Sequence, residues 1–314
     1  MFSDRTKTFV PLNPIPKGAT FGITAPATTP DPEKLNRGIE YLESCGYQVK
    51  VGETCHREEF YVAGPDEIRA YELMDMVEDP QVDAIICARG GYGSMRLIKL
   101  LDFQLFYEQR KPLIGFSDIT ALQWALYAQT GLPSLSAGMV ATDMAREPFN
   151  DQWEEAYWKF LETGTVDYQL EHQQEDELTI QGLGLAGTSS VALKLLGSSY
   201  FPDPKDHILI LEDVNEQTHK IEAYLLQFAL AGLFDRAAAV ITGIIRKAEE
   251  EEYPKVPDLD TVLDRAFQST RTPVVPNLPY GHIDNKIPLP IGAPLSLSLG
   301  PQSTLKSTES IFKS

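Results

Sequence analysis

Apolar and polar positions in the first third of the chain switch repeatedly between a strand pattern and a helical one. TFGITA (20–25) is a short apolar run stopped by Pro26. Asp31-Pro32-Glu33 then supplies an N-cap, a proline at the first helical position and an early acid. Leu35, Ile39 and Leu42 follow at helical spacing, and Gly46 stands where a C-terminal cap belongs. YQVKV (47–51) predicts a second strand, and residues 66–78 a second helix. VDAIICA (82–88) and PLIGF (112–116) are continuous apolar runs, the pattern of strands covered on both faces. SMRLIKLL (94–101) lies between them with helical character, and TALQWALYA (120–128) follows. This β-α-β-α order predicts an α/β fold whose N-terminal part is a doubly wound, flavodoxin- or Rossmann-like parallel sheet.

From about 147 to 181 the rhythm fails. REPFNDQWEEAYWKFLETG contains a helix carrying Trp153 and Trp158, and VDYQLEHQQEDELTIQG is polar, irregular or hairpin-like. The pattern then resumes with a strand at HILILE (207–212), a helix at IEAYLLQFALAG (221–232) and a strand at AAAVITGII (237–245). A helix at LDTVLDRAF (259–267) and an extended stretch at TPVVPNLP (272–279) follow. PLSLSL (294–299) alternates with period two and predicts a half-exposed strand. The expected organisation is an N-terminal α/β domain over 1–150, a crossover or linker over 151–185, and a C-terminal domain over 186–314, α/β or mixed and rich in strand.

Composition narrows the class without naming it. With 27 basic and 45 acidic residues the net charge is −18, a surface that repels nucleic acid. No apolar run is long enough to span a membrane. Residues 1–14 lack a secretory h-region. Cys45, Cys55 and Cys87 are odd in number and show no C-x-x-C spacing, which fits a reducing cytoplasm and neither a disulfide framework nor a zinc cluster. No metal or other cofactor is expected.

Ser117 lies in Gly115-Phe116-Ser117-Asp118-Ile119-Thr120, between a predicted strand and a predicted helix. A nucleophile elbow needs that placement, because a sharp turn exposes the hydroxyl and the helix N-terminus offers free N–H groups to an oxyanion. The second glycine of G-x-S-x-G is absent, so the six residues by themselves favour Ser117 or Asp118 as a plain helix cap. Arg89-Gly90-Gly91-Tyr92-Gly93 follows another strand, and an N–H of one of its glycines would join that of Asp118 as an oxyanion hole. Its spacing is not that of a dinucleotide fingerprint. Glu212-Asp213 ends the strand HILILE, and His282 follows LPYG in a loop rich in proline and glycine. Serine, acid and histidine in this chain order, all at strand ends, make a stronger case together than any does alone. An imidazole titrating near neutrality can take the serine proton, and a carboxylate fixes its tautomer.

These residues carry a resemblance. AGPDEIRAYELMDMVEDPQVDAIICARGGYGSMRLI, PLIGFSDITALQWAL, SSYFPDPKDHILILEDVNEQTHKIEAYLLQ and LPYGHIDNKIPLPIG together closely resemble the LD-carboxypeptidase family of serine peptidases, in family order and over nearly the whole chain. The resemblance implies Ser117 as nucleophile, Glu212 as orienting acid and His282 as base. Gly91 and Asp118 would supply the oxyanion amides, with Gly90 as alternative to Gly91, and Gly90 and Tyr92 would face substrate. It also implies release of terminal D-alanine from murein tetrapeptides, a homodimer and cytoplasmic peptidoglycan recycling. A sister branch, the microcin C immunity peptidases, cleaves aminoacyl-nucleotide amides instead, with Trp153 or Trp158 as candidate base-stacking residues; packing roles suit both better. A non-catalytic ligand-binding α/β protein is the alternative from another class. The chain departs from the family pattern at Ala186-Gly187-Thr188-Ser189-Ser190-Val191, where relatives often carry Gly-Gly-Asn-Leu. It departs again at Asn215–Glu222, where an Arg in an R-I-D-R-like run is usual.

Overall fold

The apolar runs of the first third become strands, and all of them are parallel. The computed structural model describes residues 9–146, 151–247 and 257–313. Strands β1 (Thr20–Thr24), β2 (Gln48–Val51), β3 (Ala84–Cys87), β4 (Leu113–Gly115) and β5 (Ser134–Ser136) pair in the order β2-β1-β3-β4-β5. Helices α1 (Pro32–Ser44), α2 (Asp66–Glu78), α3 (Phe103–Gln109) and α4 (Thr120–Thr130) connect them. Asp31 caps α1 by accepting the Lys34 N–H at 2.9 Å. The strand order reverses at β1 and β3, which opens a crevice beyond their C-terminal ends, where doubly wound sheets take ligands. One expectation shifts here. Residues 94–100 wind as a 3₁₀ turn, and the α-helix between β3 and β4 is α3, restarted by Asp102 accepting from the N–H groups of Gln104 and Leu105.

The second sheet is mixed. It is built from β6 (Asp167–Leu170), β7 (Leu178–Thr188), β8 (His207–Glu216), β9 (Ala239–Lys247), β10 (Val274–Val275), β12 (Pro294–Leu299) and β13 (Ser303–Ser307), in the order β10-β9-β8-β7-β12-β13-β6. β10, β9, β8 and β7 run parallel, whereas β12, β13 and β6 add on antiparallel. Helices α5 (Asp151–Thr163), α6 (Ser189–Leu193), α7 (Thr218–Leu230), α8 (Leu233–Arg236) and α9 (Leu259–Phe267) complete the fold. β12 alternates half-buried and buried positions, as its period-two sequence predicts.

Three features depart from the sequence reading. Residues 151–185, expected as a crossover or linker, hold α5, β6 and most of β7: β6 and β7 join the second sheet, whereas α5 packs on the first half of the chain, with Trp158 against Tyr41 and Tyr47. The stretch reads as polar because β6 is an edge strand and β7 is buried only from Gly184 onward. HILILE does not end at Glu212: β8 continues to Glu216, with a register shift between Leu211 and Asp213. Finally β11 (Leu289–Ile291) leaves the second half of the chain and pairs antiparallel with β5 of the first sheet.

Helix α4 packs against the second sheet. Trp124, fully buried, donates its indole N–H to the carbonyl of Ala186 on β7 at 2.8 Å. The Thr188 N–H donates to the Thr120 hydroxyl at 3.2 Å. This approach depends on Gly187, where a Cβ would lie 2.5 Å from Thr120 Cγ2 and 3.0 Å from the Trp124 indole nitrogen. Gly187→Val is therefore expected to lower stability by about 1–3 kcal/mol through overpacking, read as a lower urea midpoint than wild type.

Candidate active site

The turn after β4 is a strained elbow. Phe116 is extended and Ser117 takes φ of 65°, the left-handed region that costs a non-glycine residue about 1–3 kcal/mol. Two glycines make room for it. A Cβ on Gly115 would lie 2.5 Å from Ile119 Cγ2, and one on Gly90 would lie 2.9 Å from Ser117 Cβ and 3.2 Å from Oγ. The glycine missing from the elbow motif is thus replaced by space around Ile119 provided from β4. Buried Gln123 braces the same turn by donating to the carbonyls of Gly115 and Leu135 at 3.3 and 2.8 Å.

Neither Ser117 nor Asp118 caps α4 with its side chain. Ser117 Oγ lies 3.0 Å from His282 Nε2, and His282 Nδ1 lies 2.8 Å from Glu212 Oε2. A carboxylate only accepts, so Nδ1 carries the proton and Nε2 is left to accept from the serine hydroxyl. Glu212 is fully buried, and its other oxygen accepts from the Thr188 hydroxyl across the β7–β8 register. Asp213 points elsewhere. It accepts from the Ser190 N–H at 2.7 Å, the Ser190 hydroxyl at 3.1 Å and its neighbour Val214 N–H at 2.9 Å. Burial pushes its pKa up to about 6. The acid beside His282 is therefore Glu212.

The glycine loop lies against the elbow. Asp118 accepts the Ser94 N–H at 2.8 Å, and the Ser94 hydroxyl donates to the Asp118 carbonyl at 2.6 Å. Burial raises the Asp118 pKa above the usual carboxylate range. Gly91, at φ of 118°, sits where a Cβ would lie 2.4 Å from Thr28 Oγ1, so only glycine fits. Thr28, which follows β1, accepts the Tyr92 N–H at 3.1 Å and donates to the Tyr61 carbonyl at 3.0 Å. Among the described residues, no backbone hydrogen bond outside the helices and strands engages the N–H groups of Gly91 and Asp118. Tyr92 is half exposed and meets Tyr61 edge-on, with ring centroids 5.2 Å apart.

The loop bearing His282 is pinned to the first sheet. Tyr280 and Ser136 hydroxyls lie 2.7 Å apart in the interior, and the Tyr280 ring packs edge-on against Phe116. Gly281 bridges to Ile244 on β9, and Arg246 donates to the His282 carbonyl at 3.0 Å. Beyond His282, buried Lys286 pairs with buried Asp143 at 2.5 Å and lies 4.4 Å over the Phe116 ring, itself 4.7 Å from the His282 ring. Burial alone would raise the Asp143 pKa, but Lys286 and Arg146 hold it below the usual range. The sequence reading missed Thr188, Ser94, Thr28, Asp143 and Lys286. Only Thr188 left a signal, as a departure from the family pattern. Trp153 is buried and Trp158 stacks on Tyr47 at 4.9 Å, so both are packing residues. Among the described residues no group of three His, Cys, Asp or Glu is placed to hold a metal ion, and no helix is long and apolar enough to cross a membrane.

A serine on a strained strand-to-helix turn, with a histidine and a buried carboxylate in line behind it, defines the class: a serine hydrolase on an α/β scaffold. The particular family follows from comparison. Residues 21–137 match the LD-carboxypeptidase N-terminal domain and residues 181–297 the LD-carboxypeptidase C-terminal domain, and the chain belongs to that family. It is a serine carboxypeptidase, a hydrolase of peptide bonds. A probable murein peptide carboxypeptidase of Bacillus subtilis is 30% identical, covering 90% of this chain and 89% of its own. The crystal structure of a muramoyltetrapeptide carboxypeptidase from Oxalobacter formigenes superposes with a TM-score of 0.86 at 26% identity, over 94% of this chain and 100% of that one. The microcin C7 self-immunity protein MccF of Escherichia coli is 25% identical over 90% of this chain and 92% of its own.

Two outcomes follow from this geometry. Lys286→Met leaves Asp143 with Arg146 as its remaining cation, and is expected to cost about 3 kcal/mol of stability by urea unfolding. The second concerns Asp213. A carboxyl whose folded pKa lies above its unfolded value binds more protons when folded, so it lowers stability as pH rises from about 4 to 6. Asp213→Asn removes that loss. Its thermal midpoint is expected to gain on wild type across this interval, and a constant difference would contradict the assignment.

Proposed function

We propose that the protein hydrolyses the amide between the L-centre of a diamino acid and the terminal D-alanine of a murein tetrapeptide. The observation that carries this reading is the unbroken line of hydrogen bonds from Ser117 through His282 to Glu212. The murein-peptide names of relatives that match along nearly the whole chain supply the bond. In this mechanism His282 Nε2 takes the Ser117 proton as Oγ attacks the scissile carbonyl. The N–H groups of Gly91 and Asp118, with Gly90 as alternative to Gly91, receive the developing oxyanion. The protonated imidazole, stabilised by Glu212, gives its proton to the departing amine of D-alanine. Water then attacks the acyl-Ser117 ester, with His282 again as base. Gly90 and Tyr92 border the substrate, and neither a metal nor another cofactor takes part.

A cytoplasmic recycling role and a homodimer belong to the same proposal and rest on the family resemblance; light scattering tests the dimer. The microcin-immunity alternative loses its two candidate stacking residues, because Trp153 and Trp158 are already packed. Incubation with a murein tetrapeptide is expected to release D-alanine, and Ser117→Ala to abolish that release. Hydrolysis of an aminoacyl sulfamoyl adenosine in place of the tetrapeptide would select the immunity activity. Hydrolysis of neither would contradict both.

A further inference from the structure

Most cations near the Ser117 turn already have an anionic neighbour within the protein. Arg69 and Arg96 pair with Asp66, Arg146 with Asp143 and Asp284, and Lys286 with Asp143. Exposed Lys194 acts electrostatically on Asp118. Arg246 is exposed and donates to the His282 carbonyl. Arg89 differs from all of these. It is partly buried, forms no ion pair among the described residues, and its polar contact there is Nε–H to the Gly90 carbonyl at 3.3 Å. In a chain with 45 acidic and 27 basic residues, a half-buried guanidinium with no carboxylate beside it is conspicuous.

Its position gives that charge a use. Arg89 immediately precedes Gly90, whose backbone packs so closely on Ser117 that a Cβ would lie 3.2 Å from Oγ. When a single C-terminal residue is released, its carboxylate carbon is three bonds beyond the scissile carbonyl carbon, roughly 3–3.7 Å away. That carboxylate must therefore be received within one side chain's reach of the nucleophile, on the crevice formed by the loops after β1, β3 and β4. We propose that Arg89 receives the α-carboxylate of the residue being released, and so selects peptides with a free C-terminus. The planar fork of a guanidinium suits a carboxylate bound through two parallel N–H donors. A substrate that continues past this point, or ends in an amide, leaves Arg89 without its anion. This inference rests on the hydrolysis proposed above and names the group that confines it to chain ends.

The test compares a murein tetrapeptide with the same peptide ending in D-alaninamide, following release of D-alanine and D-alaninamide by mass spectrometry. Wild type is expected to favour the free acid by about 10²-fold in kcat/KM. In Arg89→Met the acid falls by about that factor while the amide is unchanged, so the preference collapses. Arg89→Lys, which keeps the charge and loses the fork, should retain part of it. Labelling of Ser117 by a small fluorophosphonate at the wild-type rate shows that Arg89→Met is folded with its nucleophile intact. The assignment is overturned if Arg89→Met keeps the preference, or if the preference collapses in Arg246→Met instead. Wild-type release with no preference for the acid overturns it and leaves the hydrolysis standing. No release from either peptide removes both.

Discussion

The hydrogen bond between His282 and Ser117 is the constraint on which the rest of the structure depends, because its two ends are held by different sheets. Ser117 is fixed by β4 and α4. His282 follows a loop bridged to β9, and Glu212 stands within β8. An error of about 1 Å between the sheets would break the proton path. The fold meets this requirement with four independent ties. β11 crosses into the first sheet, Trp124 and Thr120 fasten α4 to β7, Tyr280 reaches Ser136, and Lys286 pairs with Asp143. The last of these costs desolvation, and a buried ion pair earns little net stability. Its directional geometry instead fixes how the loop bearing His282 lies on the first sheet.

Electrostatics and strain converge on the same few residues. Glu212 is fully buried, yet both of its oxygens are satisfied, one by His282 and one by Thr188. A carboxylate placed so orders the imidazole tautomer and stabilises a developing imidazolium without competing water. Ser117 sits in a left-handed backbone conformation that Gly90 and Gly115 accommodate. That turn presents its hydroxyl to His282. Arg89 extends the same economy, since the loop that makes room for the nucleophile also carries the cation proposed to receive the chain end.

Much of this was legible in the sequence. Periodicity sufficed for the parallel order of the first sheet, since apolar runs covered on both faces have few other uses. Ser117, Glu212-Asp213 and His282 all lie at strand ends in a hydrolase chain order, but each local signal is weak, and the choice of this triad, with Glu212 as its acid, rests on the family resemblance. What could not be read depends on packing between distant segments. β6 and the first half of β7 hold only exposed and half-buried residues, so this polar stretch resembles a linker. Nothing local marks LPI at 289–291 as a strand of the other sheet. Lys286 and Asp143 are ordinary charged residues until burial pairs them. The six residues around Ser117 do not reveal the elbow, because room for Ile119 comes from Gly115 and room for Ser117 from Gly90, which lies in a distant loop.

The central claim is that Ser117 is made nucleophilic by His282 across the two sheets. The most direct measurement is site-mapped labelling with a fluorophosphonate, comparing wild type and His282→Ala by peptide mass spectrometry. The account predicts one label per chain, on Ser117, formed at least about 10²-fold more slowly without the imidazole. Labelling at another residue, or undiminished labelling of Ser117 in the variant, would contradict it.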